Sequence, residues 1–253
     1  LELNHVPRVA YRIASAFSVA FGYISEILRG VLEVEIEKIA VNRDLVRRAI
    51  LLADKIESAQ SFHALAEPGT FSYKKDRISV YSDEVLIPPT FTLPAPNQEK
   101  IDEGIYVTIT GISGLERLYE EARKLGLKLY SNDPQSVVGS EYLSPHYISN
   151  PNIKLQFARS GWGSVWLSQI FGTPLIAPDF DSKDDPEIYF NNICIEKLGL
   201  GVIYRGQSLA EIIREAEILK PKIQAFNQGL LARFGTLNGN EHVAWHIAEA
   251  MQK

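Results

Sequence analysis

Between residues 105 and 204 the chain alternates short apolar runs with helical segments, and glycine or proline marks nearly every handover. That rhythm constrains the fold more than any other feature, because strands alternating with helices are what a parallel α/β layer requires. Residues 105–110 (IYVTIT) read as a buried strand, and Gly111, Ile112, Ser113 and Gly114 open a helix that runs to Leu125. Gly126 stops that helix, and residues 127–130 form the next strand. Further strands are expected at 153–158, 174–177 (PLIA) and 201–204, with helices at 165–171 and 188–198 between them. A helix over 208–219 follows, with Ser208 as N-cap and Glu211 three residues on, the pattern of a capping box.

The front of the chain is less regular. Residues 6–29 carry a helical pattern, and residues 44–54 (DLVRRAILLAD) form a second amphipathic run. Residues 55–62 and 78–87 read as strands, and the proline-rich stretch 87–96 places a domain boundary within residues 88–104. The expected organisation is residues 1–96 as a partial or remodelled N-terminal α/β domain and residues 97–253 as a Rossmann-like domain. The C-terminal helices are expected to pack back on the first domain.

Bulk properties exclude several classes. With 26 Lys and Arg against 31 Asp and Glu, scattered along the chain, there is no basic footprint for a nucleic-acid backbone. The apolar run at 13–28 is short, holds Glu26 and is bracketed by Arg12 and Arg29, so a buried helix rather than a transmembrane segment is expected. The single cysteine, Cys194, excludes an internal disulfide and a cysteine-rich metal cage, which favours a reducing, cytoplasmic setting. The first residue is Leu1 and no signal-peptide pattern is visible, so the sequence reads as a fragment of a longer protein.

Two glycine-containing turns sit where a strand passes into a helix, one at Gly111 to Gly114 and one at residues 159–164 (RSGWGS). Such a turn aims backbone N–H groups and the positive end of the helix dipole outward, and small residues let an anion approach. Each is a phosphate seat by this reasoning, although tight turns also take glycine for steric reasons alone. Their occurrence in one α/β layer favours ligand binding, because ligands collect at the carboxyl ends of parallel strands.

From Tyr147 to Asn192 the sequence YISNPNIKLQFARSGWGSVWLSQIFGTPLIAPDFDSKDDPEIYFNN, with IEKLGLG two residues on, resembles the nucleotide-sugar signature of the GT-B glycosyltransferases. These include the plant and bacterial small-molecule glycosyltransferases and the peptidoglycan lipid-intermediate N-acetylglucosaminyltransferase. The close match spans about a fifth of the chain, with weaker agreement over residues 105–204. The resemblance implies a C-terminal GT-B domain binding a nucleoside-diphosphate sugar, a UDP-sugar by preference, for hexosyl or N-acetylhexosaminyl transfer without a metal or other cofactor. It implies that Gly111, Ser113, Arg159, Ser160, Gly161, Gly163 and Ser164 hold the donor diphosphate, with Arg159 in the place of the family's histidine. Glu187, four residues before Asn191, stands where an acidic residue accepts hydrogen bonds from the donor sugar, and Asn191 joins it.

The departures are as informative. Leu167 replaces a glutamate that grips the ribose, and Ile188 replaces a glutamine. The family's N-terminal opening of strand, glycine-rich turn and histidine is not visible, so the catalytic base and the acceptor stay unassigned. Residues 53–69 resemble only the last strand and turn of that domain. Two alternatives remain open: a non-hydrolysing nucleotide-sugar 2-epimerase, for which Gly172, Pro174, Pro186 and Glu187 are suitably spaced, and a non-catalytic donor-binding subunit needing a partner chain or self-association.

Trp162 and Trp166 at helical spacing are expected to serve packing, and Asp181, Lys183, Asp184 and Asp185 to form a solvated loop. His242 and His246 lie four apart, a spacing able to chelate a metal, but no glutamate follows His242 and two ordinary helical histidines are expected. His63 and His146 have no local partner motif.

Overall fold

The computed structural model describes residues 18–91, 95–108 and 116–250. They form two compact units, one made of the described residues up to Thr90 together with those from Asn238 on, the other running from Phe91 to Leu237.

The first unit begins with β1 (Val19–Phe21) and α1 (Ile24–Glu33), then α2 (Arg43–Glu57), β2 (Phe62–Ala66) and β3 (Val85–Ile87), the three strands parallel in the order β1-β2-β3. The helix expected over residues 6–29 holds from Ile24 to Arg29 and is corrected at Val19–Phe21, while residues 6–17 lie outside the described residues. Val19, Ala20 and Phe21 pair with Phe62, His63 and Ala64, and Gly22, at φ 83°, takes a left-handed conformation that ends the strand and lets α1 start. The expected strand at 55–62 is also corrected: α2 runs on through Glu57, Ser58 caps it, and the strand starts at Phe62. Only the last three residues of the expected strand at 78–87 pair with a neighbour. Asn42 caps α2, its side-chain oxygen accepting from the N–H groups of Asp44 and Leu45 at 3.1 Å, and Asp44 adds favourable charge in the first turn. Arg77, nearly buried, grips Glu26 and Glu84 in bidentate fashion over 2.6–3.0 Å and ties α1 to the loop before β3.

The second unit contains β4 (Gly104–Val107), α3 (Glu116–Lys124), β5 (Lys128–Ser131), β6 (Glu141–Tyr142), a 3-10 turn (Pro145–Ser149) and β7 (Ile153–Phe157). These are followed by α4 (Trp162–Phe171), β8 (Leu175–Pro178), α5 (Pro186–Leu198), β9 (Gly201–Tyr204) and α6 (Leu209–Phe234). All six strands are parallel, in the order β6-β5-β4-β7-β8-β9. Counted from the first strand of the unit this is 3-2-1-4-5-6, the doubly wound order whose switch point lies between β4 and β7.

Alternation along the strands places helices on both faces. Ile105, Val107, Leu129, Leu155 and Phe157 pack with Leu118 and Ala122 of α3 and with Leu209, Ile212 and Ala216 of α6. Tyr106 points the other way, into a cluster with Tyr130, Ile148, Ile153 and Leu167 of α4. Each such buried aliphatic side chain contributes roughly 1.5–3 kcal/mol. The Ser208 and Glu211 capping box is present at the start of α6, which passes through Pro221 to Phe234, well beyond the expected end at Leu219.

The last helix, α7 (Gly239–Ala250), belongs to the first unit. Its Val243 joins the core of Phe62, Ala64 and Ile87, and the Gly239 N–H donates to the Pro89 carbonyl at 2.9 Å.

Candidate functional site

The turn after β7 is built on the carboxyl edge of the sheet at its switch point, with Ala158 to Gly161 leading straight into α4. Gly161 is the N-cap of α4 at φ −64°, ψ 140°, with no side chain capping the helix, and α4 ends at Gly172. The N–H groups of Ser164 and Val165 return to the Gly161 carbonyl at 2.9 and 3.1 Å, so the first turn is closed and its leading edge faces outward. Among the described residues, a Cβ at Gly161 or Gly163 would meet nothing within 4 Å, and neither residue has a left-handed φ. Neither chain conformation nor packing therefore demands glycine at these two positions. What glycine supplies there is open space at a positive helix end, the property an anion seat needs.

The other residues expected in the seat divide into two sets. Ser164 is half-buried, and its hydroxyl takes no partner among the described residues. Ser160, by contrast, is fully buried: its hydroxyl donates to Asn192 Oδ1 at 2.6 Å, while its carbonyl accepts from Asn191 Nδ2 at 2.9 Å. Asn192 Nδ2 continues to the Pro178 carbonyl at 3.0 Å. Ser160, Asn191 and Asn192 thus lock the turn onto α5 and the end of β8. Asn191 Nδ2 also donates to Glu187 Oε1 at 3.2 Å, which fixes the glutamate on the first turn of α5 beside the seat. The Asn191 Oδ1 atom is buried with no hydrogen-bond partner among the described residues.

Arg159 is half-exposed and forms an ion pair with Asp184, whose side chain is only 6% exposed. In the 181–185 loop Asp181, Lys183 and Asp185 are exposed, as expected, while Asp184 is partly buried. Asp181 Oδ1 accepts from the Lys183 N–H at 2.8 Å, Asp184 Oδ2 accepts from the Asp181 N–H at 3.1 Å, and Asp185 caps α5 through the Glu187 N–H at 3.1 Å. That loop sets where the Arg159 guanidinium lies, and nothing in its sequence identifies Asp184 as the partner.

Below the seat, Gln156 of β7 is completely buried, donates to Thr108 Oγ1 at 2.7 Å and accepts from the Ser168 hydroxyl. This chain couples the ends of β4 and β7 to α4. The other expected anion turn, with Gly111 and Ser113, lies outside the described residues. Leu167, where the resemblance places a ribose-gripping glutamate, is buried against Tyr106 and Ile153 and presents no polar group. Trp162 and Trp166 lie 5.9 Å apart between centroids, and Trp162 packs against the core cluster of Val165, Ile195 and Ile203.

His63 of the first unit is held in place on both sides of its ring. His63, 4% exposed, is held at Nδ1 by Asp83 at 2.9 Å and donates from Nε2 to the Glu57 carbonyl at 2.9 Å, with its ring stacked on Tyr81. Burial lowers its pKa, but the hydrogen bonds to Asp83 and the Glu57 carbonyl outweigh burial and raise it above the ordinary histidine value. Both nitrogens are engaged, one by a carboxylate and one by a backbone carbonyl, so the ring serves structure. Among the described residues, no group of three or more His, Cys, Asp or Glu is arranged to hold a metal ion, and no helix is long and apolar enough to cross a membrane.

No protein-family model and no curated protein matches the chain. Solved structures do. CalG4, the calicheamicin glycosyltransferase, is similar at TM-score 0.60 and 14% identity, over 98% of this chain and 72% of that one. UGT89C1 of Arabidopsis thaliana, solved with UDP-L-rhamnose, is similar at 0.58 and 14%, over 95% and 67%. The glycotransferase of kitacinnamycin is similar at 0.56 and 13%, over 78% of this chain and 57% of that one, so the chain spans little more than half of that enzyme's length. The fold is that of the GT-B glycosyltransferases, and the unit from Phe91 to Leu237 has the Rossmann-like architecture of their C-terminal domain.

Proposed function

We propose that the Phe91–Leu237 unit binds a nucleoside-diphosphate sugar, and that the protein to which this chain belongs transfers the sugar to an acceptor. The observation that carries this reading is the turn at Gly161 and Gly163, at the switch point of the 3-2-1-4-5-6 sheet, where glycine is needed neither by backbone conformation nor by packing against the described residues. In this reading the N–H groups at the start of α4, the Ser164 hydroxyl and the Gly111 and Ser113 turn hold the diphosphate. Arg159, steered by Asp184, adds a positive charge. Glu187, fixed by Asn191, accepts hydrogen bonds from the sugar hydroxyls. The leaving group is a diphosphate, so catalysis rests on stabilising its developing negative charge with preorganised donors, and no metal is required for that. UDP is the favoured nucleotide, supported by the UDP-L-rhamnose bound to UGT89C1 and the UDP-2-fluoro-glucose bound to UGT2 of Phytolacca americana, which share the fold. A small-molecule acceptor in a reducing, cytoplasmic compartment completes the proposal.

A second reading is donor binding without transfer by this chain alone, favoured by Leu167, which is buried and presents no polar group where the resemblance places a ribose-gripping glutamate. Calorimetric titration with a panel of nucleoside-diphosphate sugars tests the shared claim. Binding of at least one is expected, and failure of all at millimolar concentration contradicts both readings. Turnover of the bound donor with an added acceptor then separates transfer from binding alone.

A further inference from the structure

His242 and His246 stand one turn apart on α7, in the first unit, and their Nε2 atoms approach to 3.2 Å with the rings edge to face at a centroid separation of 4.8 Å. Tetrahedral or tetragonal coordination at about 2.0–2.1 Å per Zn–N or Cu–N bond puts two cis imidazole nitrogens about 3 Å apart, so the spacing already present is that of a chelate. Val243, between them in sequence, is buried in the core with Phe62 and Ile87 and anchors the helix, while both histidines keep part of their surface in solvent. A rigid pair of soft nitrogen donors loses little freedom on capturing an ion, and imidazole prefers first-row transition metals, copper(II) most of all.

We propose that His242 and His246 form a two-histidine clasp for a divalent transition-metal ion, with copper(II) bound most tightly, water completing the coordination shell. This inference is independent of the donor-sugar reading. The clasp's chemistry is simple: the hydrogen shared between the two Nε2 atoms moves through solvent to the Nδ1 of the ring that carried it, and the two neutral Nε2 lone pairs then replace two waters of the ion, with no redox step. Trp245, adjacent to His246 and 76% exposed, supplies a built-in reporter because a paramagnetic ion quenches nearby indole fluorescence.

The test uses the full chain titrated with copper(II) chloride, and separately with zinc chloride, followed by calorimetry, by Trp245 fluorescence and by electron paramagnetic resonance of the copper. Saturation at one ion per chain, quenching that disappears in W245F, and a spectrum with two coupled nitrogens are expected. H242Q and H246Q should each lose most of the binding, with zinc bound more weakly than copper throughout. If both variants melt at the parent temperature and bind copper as the parent does, the proposal is overturned. Should either variant melt lower, the parent decides: a copper-dependent rise in its melting midpoint supports the clasp, and an unchanged midpoint overturns it.

Discussion

Two of the parallel strands that lead through a glycine into a helix end in opposite ways. In the first unit, β1 leads through Gly22 into α1, and the start of that helix is already occupied by the chain's own carboxylate. Glu57, from the end of α2, accepts the Ser25 N–H at 3.0 Å and the Ser25 hydroxyl at 2.6 Å, with Tyr81 adding a weaker contact at 3.3 Å. In the second unit, β7 leads through Gly161 into α4, with no side chain capping the helix. The same strand–glycine–helix pattern therefore yields a sealed structural joint in one place and, in the other, a helix end with no side-chain cap, the proposed anion seat. What separates them is a residue 32 positions away in sequence from Ser25, not the turn itself. A glycine turn in a parallel sheet becomes evidence for a ligand only once its helix end is known to be unfilled.

Breaking the sealed joint should give the largest effect. E57A leaves the Ser25 N–H and hydroxyl buried without their acceptor, and the first unit should lose about 3 kcal/mol of stability by denaturant unfolding. Donor binding by the second unit should be little changed at temperatures where the variant is folded. The open turn should respond in the reverse sense. G163A adds a methyl that meets nothing among the described residues and replaces glycine within a helix, so stability should rise by roughly 0.5–1 kcal/mol while affinity for a nucleoside diphosphate falls about tenfold, near 1.4 kcal/mol. An equal loss of stability and binding would mean that Gly163 serves packing after all.

A smaller effect is expected from the Arg159 and Asp184 pair. R159Q should weaken diphosphate binding several-fold and flatten its dependence on ionic strength, whereas D184N, which releases the guanidinium from its anchor, should weaken binding less and leave that salt dependence in place; both are read by calorimetry at two salt concentrations. The smallest is the pH response of the sealed unit. His63 has a raised pKa in the folded chain, so its contribution to stability is complete below the ordinary histidine value and declines as pH rises through the folded one. H63Q should remove that part of the pH dependence, measured as unfolding midpoints from pH 6 upward.

The second unit was largely legible in sequence because its signals agree with one another. Residues 153–204 combine short apolar strands, glycines at both ends of helices, and caps at Asp185 and Ser208, and each predicted element lies within a few residues of the observed one. Residues 19–21 were illegible because three apolar residues beside a helical run carry no period of their own. Only pairing with Phe62 to Ala64 makes them a strand. Residues 55–57 failed for a related reason: isolated apolar positions at the end of α2 mimic alternation. The site splits the same way. The glycines and Ser164 announce themselves locally, whereas the locking of Ser160 by Asn192 spans 32 residues and the pairing of Arg159 with Asp184 spans a loop, and no local pattern encodes either.

The account's central claim is that the helix end at Gly161 to Ser164 is an anion seat for a nucleoside diphosphate. A crystal of the protein soaked with UDP tests it most directly. The predicted result is diphosphate density against the backbone of Gly161, Trp162 and Gly163, within hydrogen-bond reach of the Ser164 hydroxyl. Density elsewhere with that turn unoccupied, or a turn that stays empty at saturating UDP, would contradict it.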